Sequence, residues 1–151
     1  MKVRPAGPED AVALSQAHAF GFDSPWRPAE FAALLTNPGV FALLAQLGCD
    51  CGMILCRAVV DEVEVLTIAV DSGRRGKGIG RALLTAAMNH AQAAGAVTAF
   101  LEVGVDNAAA LALYGRAGFR RTGLRKNYYD RGDGEPADAL VMRLDFPAGR
   151  A

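Results

Sequence analysis

The order of elements legible in this sequence predicts an α+β domain on a mixed, mostly antiparallel sheet of seven strands flanked by about four helices. Three observations predict it. Three apolar, strand-like runs, "VFALLAQL", "GMILCRAVV" and "VEVLTIAV", follow one another with short polar breaks, as in an antiparallel meander. Ile79, Ala82, Leu83, Ala86, Ala87, His90, Ala91 and Ala94 then repeat at helical spacing, the longest such stretch in the chain. A strand, a helix and two more strands close the sequence. At 151 residues and 52% hydrophobic content, this suits one compact domain, 1–151, with one core.

Each element has a local reason. A short strand near Lys2 to Arg4 leads to a helix after Pro8, where Glu9 and Asp10 suit the positive end of a helix dipole. "SPWRPAEFAALLTNPG" reads as a turn and a second short helix, stopped by Pro38 and Gly39. The meander starts at Val40, its strands separated by "GCDC" and "DE". Gly95 supplies the left-handed stop for the long helix. "VTAFLEV" is a strand, Asn107 caps the helix "AAALALYGRA", and Gly118 closes it. The last strands, "FRRTGLRKNYY" and "ALVMRLDF", flank the polar turn "DRGDGEPAD".

Composition excludes several function classes. Lys plus Arg balances Asp plus Glu at 16 each, so no global field draws the protein to nucleic acid or an anionic membrane. A small ligand or a specific protein partner is expected instead. "MKVRPAGPED" lacks the apolar core of a signal peptide, and no apolar run reaches the roughly 20 residues that span a bilayer, so the expected location is the cytoplasm. Cys49, Cys51 and Cys56, an odd number within one hairpin, read as free thiols of a reducing compartment. Neither histidine lies near them in sequence, and no metal is expected.

The stretch "RRGKGIGRALL" places glycines at every second position where a strand gives way to a helix. Its spacing does not fit the P-loop, and Gly76, Gly78 and Gly80 make G-x-G-x-G, unlike a dinucleotide fingerprint. The preceding strand also reads as part of a meander, not of a βαβ unit. What remains is a glycine-rich turn whose backbone N–H groups, at the positive end of a helix, can take an anion, with Arg74, Arg75, Lys77 and Arg81 adding charge for a diphosphate. Taken alone, a tight turn with solvated cations fits as well.

Glu102 stands in an otherwise apolar strand, "AFLEVGVDN", where a carboxylate is costly unless it reaches water at the strand end or performs chemistry. Tyr114 lies two helical turns after Asn107, and taken alone a tyrosine in an Ala/Leu helix reads as core packing.

Together these residues resemble the GNAT N-acetyltransferases. "RRGKGIGRALL" matches their Arg/Gln-x-x-Gly-x-Gly/Ala segment through Arg75, Gly78 and Gly80, with "LTIAVD" before it and "LEVGVDNAAALALYGRAGF" after it. "TIAVD", "LEV", "NAAALALYGRAGF" and "RKNYYDRGDGEPADALVM" look like the bacterial RimI group, which acetylates the N-terminal alanine of a small-subunit ribosomal protein. The match runs from about Glu62 to Leu144, and "HAFGFDSPW" echoes the group's His and Phe-x-x-Pro-Trp region more loosely. The resemblance implies a GNAT-type sheet and acetyl-coenzyme A as donor. It sets the pyrophosphate against Arg75, Gly76, Lys77, Gly78, Ile79, Gly80 and Arg81, with Ile68, Ala69 and Val70 pairing strand-fashion with the pantetheine. Asn107 and Tyr114 would flank the pantetheine and thiol, with Glu102 as general base and Tyr114 as general acid.

These residue types suit acetyl transfer. The nucleophile must be a neutral amine, and for an α-amine of pKa near 8 deprotonation at pH 7 costs about 1.4 kcal/mol, against about 4.6 kcal/mol for a lysine side chain. One carboxylate, direct or through water, suffices for the first. A tyrosine near pKa 10 stays protonated at pH 7 and can donate to a departing thiolate. By the resemblance, Tyr128 and Tyr129 form a wall for an entering peptide N-terminus, although "GLRKNYYDRGDGEPAD" also reads as a solvated hairpin. Trp26 fits the opposite wall, and equally an anchor of the second helix. The expectation is a monomeric or weakly dimeric enzyme acting on a protein N-terminus, with no direct nucleic acid contact. A small amine, a lysine side chain, or a catalytically silent acetyl-CoA-binding module are the alternatives.

Overall fold

A computed structural model describes residues 1–74, 76–130 and 136–147, the side chains of 127–130 and 136–137 excepted. Strand β1 (Lys2–Ala6) is followed by a 3-10 turn (Pro8–Asp10), helices α1 (Ala11–His18) and α2 (Pro28–Leu35), and strands β2 (Val40–Leu47), β3 (Cys49–Val59) and β4 (Glu62–Val70). A second 3-10 turn (Ser72–Arg74), α3 (Ile79–Ala93), β5 (Thr98–Gly104), α4 (Ala108–Arg116), β6 (Arg120–Asp130) and β7 (Pro136–Asp145) complete it. The strands form one seven-stranded sheet in the order β1-β2-β3-β4-β5-β7-β6. The predicted α+β class and mixed sheet are therefore found, with every neighbouring pair antiparallel except β4 and β5.

Local chemistry explains the boundaries. Asp10 turns the chain into α1: its carboxylate accepts from the Gly7 N–H at 2.9 Å and from Arg4 at 3.0 Å, and that guanidinium, ahead of the amide, holds its pKa below the usual value. Gly95 and Gly118, at φ 106° and 97°, adopt the left-handed conformation that ends helices α3 and α4. The "GCDC" break is shorter than its composition suggests. Gly48, at φ 80°, makes the turn, and Cys49 already opens β3. All three thiols are free, with Cys51 and Cys56 buried; burial pushes the Cys56 thiol up to about 12.

Two cores sandwich the sheet. On one face α1 and α2 bury Leu14, Ala17 and Phe31 against Leu44, Met53, Leu55 and Ala69. On the other, α3 and α4 bring Ile79, Leu83, Leu84, Ala87 and Tyr114 onto Leu43, Ile54, Val63, Val65, Leu101 and Val103. A bulge in β4 couples them. Leu55 pairs with Thr67 and Cys56 with Val65, so Leu66 is the extra residue. Because side chains alternate, one extra residue exchanges the faces: Val63 and Val65 point to the α3 side before the bulge, and Ile68 and Val70 do so after it. Thr67 and Ala69 are thereby turned toward α1.

The strand before α3 has two roles, which corrects the sequence reading. β4 ends the meander and also starts a parallel crossover, since β4, α3 and β5 form a βαβ unit. The parallel pairing covers only Glu62–Glu64 against Thr98–Phe100. Beyond those residues the two strands diverge, and their facing backbone N–H and C=O groups must find solvent or a ligand. β7 inserts between β5 and β6, so the closing hairpin joins the sheet through its second strand. Among the described residues no helix is long and apolar enough to cross a membrane.

Candidate active site

The divergence of β4 from β5 opens a cleft of about 1160 Å³. β4 lines it with Thr67, Ile68, Ala69 and Val70, the turn and first residues of α3 with Gly76, Gly78, Ile79, Gly80 and Arg81, β5 with Glu102, and α4 with Asn107, Leu113 and Tyr114. Residues distant in sequence and singled out for different reasons therefore border one space.

The glycine-rich turn is shaped by its backbone. Gly76 and Gly78 hold φ of 81° and 76°, and Gly78 is the N-cap of α3 without a side-chain cap. The first intrahelical bond is Ala82 N–H to Gly78 O, so the amides of residues 78–81 have no acceptor within the helix. That is a positive pole facing the cleft. A side chain at position 80 would bring its Cβ within 3.3 Å of Leu113, so Gly80 also lets α3 and α4 approach. Arg81 lines the cleft, whereas Lys77 is exposed on the turn and is not among the lining residues. Arg75 lies outside the described residues. Arg74 also lines the cleft, with its guanidinium already engaged: it donates to Leu47 O and to Cys49 Sγ, the latter at 3.1 Å, and lies 3.7 Å from the Asp71 carboxylate. Its charge ties the turn to the β2–β3 hairpin.

Asn107 is the cap the sequence predicts: its Oδ1 accepts from the Ala110 N–H at 3.1 Å. Asn107→Ala is expected to destabilise the protein by about 1 kcal/mol. Urea unfolding followed by circular dichroism measures this, and an unchanged midpoint would mean that the cap contributes nothing.

Glu102 and Tyr114 occupy opposite faces of the sheet. Leu101 and Val103 point into the α3 and α4 core, so Glu102 between them points to the α1 and α2 face. It is exposed there and receives Arg125 Nη1 from β6 at 2.6 Å. This is how an apolar strand accommodates a carboxylate. A second hollow of about 400 Å³ opens on that face, lined by Arg57, Glu64, Phe100, Glu102 and Val141, and Glu102 and Glu64 border both cavities. Tyr114 belongs to the other face, 5% exposed, its ring 5.9 Å from Phe119. Burial, then the nearby Cys56 thiol, pushes its phenol well above the usual value, so it stays protonated.

Trp26 does not line the cleft. Its ring lies against His18 and Phe31, at 5.0 and 5.7 Å between centroids, which fits the anchor reading of the sequence. The cleft wall on that side comes from Gly21 and Phe22, which lie in the "HAFGFDSPW" stretch but were given no site role in the sequence reading. Their signal was a single glycine between two phenylalanines in "AFGFDSP", a stretch with no helical or strand period. β6 carries Tyr128 and Tyr129, with Tyr129 paired to Ala137, and the side chains of both tyrosines fall outside the described residues.

Comparison with known proteins identifies the family. The profile of the Acetyltransferase (GNAT) family matches residues 11–119. The [ribosomal protein bS18]-alanine N-acetyltransferase of Escherichia coli (strain K12) is 37% identical over 129 residues, 85% of this chain and 84% of that protein. The N-alpha-acetyltransferase RimI of Mycobacterium tuberculosis is 42% identical over 138 residues, 86% of this chain and 82% of that one. The crystal structure of the ribosomal-protein-S18-alanine N-acetyltransferase from Escherichia coli superposes with a TM-score of 0.87 at 30% identity, covering 99% of this chain and 96% of that one.

Proposed function

Since the chain belongs to the Acetyltransferase (GNAT) family and is an N-acetyltransferase, we propose that it moves acetyl from acetyl-coenzyme A to a protein N-terminal α-amine, the N-terminal alanine of a small-subunit ribosomal protein. What carries this reading is the gap in the sheet, with a protonated tyrosine on one face and a carboxylate on the other, at the border of two cavities. A donor entering between α3 and α4 and an acceptor entering from the α1 and α2 face would meet in that gap.

The residues fit such a donor. The amides of residues 78–81, which have no acceptor within the helix, suit a pyrophosphate together with Arg81. The diverging edge of β4 at Ile68, Ala69 and Val70 offers backbone groups in strand geometry to the amides of a pantetheine arm. An amide on that edge can polarise the thioester carbonyl, worth on the order of 3 kcal/mol when aimed at the developing oxyanion. Glu102 then accepts the proton of the attacking amine, directly or through water, and Tyr114 gives a proton to the departing thiolate. An α-amine suits this site because a single exposed, ion-paired carboxylate has little deprotonation work to do for a group of pKa near 8.

Thiol release from acetyl-coenzyme A tests the proposal with three acceptor sets: peptides beginning Ala-Arg, N-terminally blocked peptides carrying one internal lysine, and small amines. Turnover at least tenfold faster with the first set is expected. Preference for internal lysine or for small amines would overturn the N-terminal assignment, and tight cofactor binding without turnover on any amine would overturn the transfer itself.

A further inference from the structure

Behind the α1 and α2 face lies a buried hydrogen-bonded link that the transfer chemistry does not use. His18, the last residue of α1, is 1% exposed. Its Nδ1 accepts from the Trp26 backbone N–H at 3.0 Å, so the ring proton of the neutral imidazole sits on Nε2. That N–H donates to Thr67 Oγ1, also at 3.0 Å. Three segments thus meet on one ring: α1, the α1–α2 connection, and β4 just past its bulge.

The connection needs such a link because little else holds it. Residues 22–27 have no helix or strand, and Trp26 is fastened through both of its backbone polar groups by α1 side chains, its N–H to His18 and its C=O to the Ser15 hydroxyl at 2.7 Å. Phe22 stacks on the His18 ring with centroids 4.2 Å apart, and Gly21 sits so close to β4 that a Cβ there would come within 3.2 Å of Ala69. Gly21 and Phe22 are also the residues by which this connection reaches the cleft, opposite Thr67 and Ala69.

We propose that His18 is a positioning residue for the acceptor: through Trp26 and Thr67 it holds the Phe22 wall at a fixed spacing from β4, and so sets acceptor affinity without setting donor affinity. The proposal rests on the transfer reading above for its direction, since the acceptor side is the α1 and α2 face. It differs from acid-base catalysis, because His18 touches neither of the proposed proton-transfer residues in any described contact. The deep burial of the ring, which favours its uncharged form, is consistent with a part that must keep one acceptor and one donor nitrogen.

The test compares Thr67→Val with Thr67→Ser. The first removes the hydroxyl that receives the His18 proton and the second keeps it. With a peptide beginning Ala-Arg as acceptor, Thr67→Val and His18→Gln are both expected to raise the acceptor KM about tenfold and the acetyl-coenzyme A KM far less, and Thr67→Ser is expected to restore it. Because Thr67 itself lines the cleft, a rise in Thr67→Val with none in His18→Gln would overturn the role of His18. A small amine serves as acceptor if the peptide is not turned over, so failure of the N-terminal assignment is seen separately in the wild type. Equal rises in both KM values, or an unchanged acceptor KM, would overturn the role of His18. A second readout needs no turnover: Trp26 is the single tryptophan of the chain. Its quenching by acrylamide in the free protein should increase in Thr67→Val and in His18→Gln, and unchanged quenching in both would show that the link holds nothing in place.

Discussion

Glu102→Gln is expected to lower kcat/KM for an N-terminal peptide about 100-fold near pH 6.5 and to approach the wild type as the pH passes 9. The argument turns on the acceptor. An α-amine of pKa near 8 is mostly protonated at pH 6.5 and mostly neutral at pH 9, so the proton that Glu102 must accept disappears as the pH rises. Glutamine keeps the volume and one acceptor oxygen but cannot take the proton, and it also ends the ion pair with Arg125. Arg125→Gln therefore serves as the companion measurement: a loss equal to that of Glu102→Gln, and equally reduced at high pH, would assign the defect to the pair. Tyr114→Phe differs in its signature. Because burial keeps the phenol protonated far above neutrality, its removal should lower kcat by a similar factor at every pH from 6 to 9, with the acetyl-coenzyme A KM unchanged. A pH-independent deficit in Glu102→Gln, or full activity in Tyr114→Phe, would sink the respective assignment.

Acidification is expected to destabilise the fold through His18. Burial, opposed weakly by Glu30 of α2, lowers its pKa from the ordinary 6.5 to about 4. Between those values the unfolded chain binds a proton that the folded one refuses. The stabilising contribution is thus fully present above pH 6.5 and is lost as the pH falls toward 4, by about 3 kcal/mol in total. For a chain of this length the melting temperature should fall by roughly 6–12 °C across that window from this group alone. Asp10 contributes with the same sign at lower pH, since its depressed pKa means stability lost only once the medium nears its own range. Thermal unfolding of the wild type and of His18→Gln between pH 7 and 4 separates the two. The variant starts less stable but lacks the steep part of the curve, and equal slopes would place the acid sensitivity elsewhere.

Much of the fold was legible because periodicity and punctuation agreed. The helix from Ile79, the Asn107 cap and the Gly118 stop all follow from local rules, and each is where those rules put it. Pairing across the sheet was less legible. "VEVLTIAV" is apolar at most positions, so nothing in it marks Leu66 as the extra residue or tells that the faces exchange there. The sequence showed a closing hairpin but not that β7, rather than β6, lies beside β5, because partner choice depends on packing over the whole sheet. At the site, the glycine turn and Glu102 stood out by breaking the pattern around them. Gly21 and Phe22 did not: the Phe-x-x-Pro-Trp spacing marks the segment, but without a helical or strand period nothing in it tells which side chain reaches the cleft. Arg74 was legible only in part: charge is visible in a sequence, and the carbonyl and thiol that engage this one at the edge of the cleft are not.

A sheet that parts between two parallel strands has two doors, one on each face. Two molecules using separate doors need not take turns, and neither has to leave before the other arrives. The proposed direct transfer parks no acyl group on the protein, and the thiols of Cys51 and Cys56 are buried in the core. For the transfer proposed above, the bulge at Leu66 and the short pairing of β4 with β5 would allow an economy of steps: one encounter of three bodies, and one transfer.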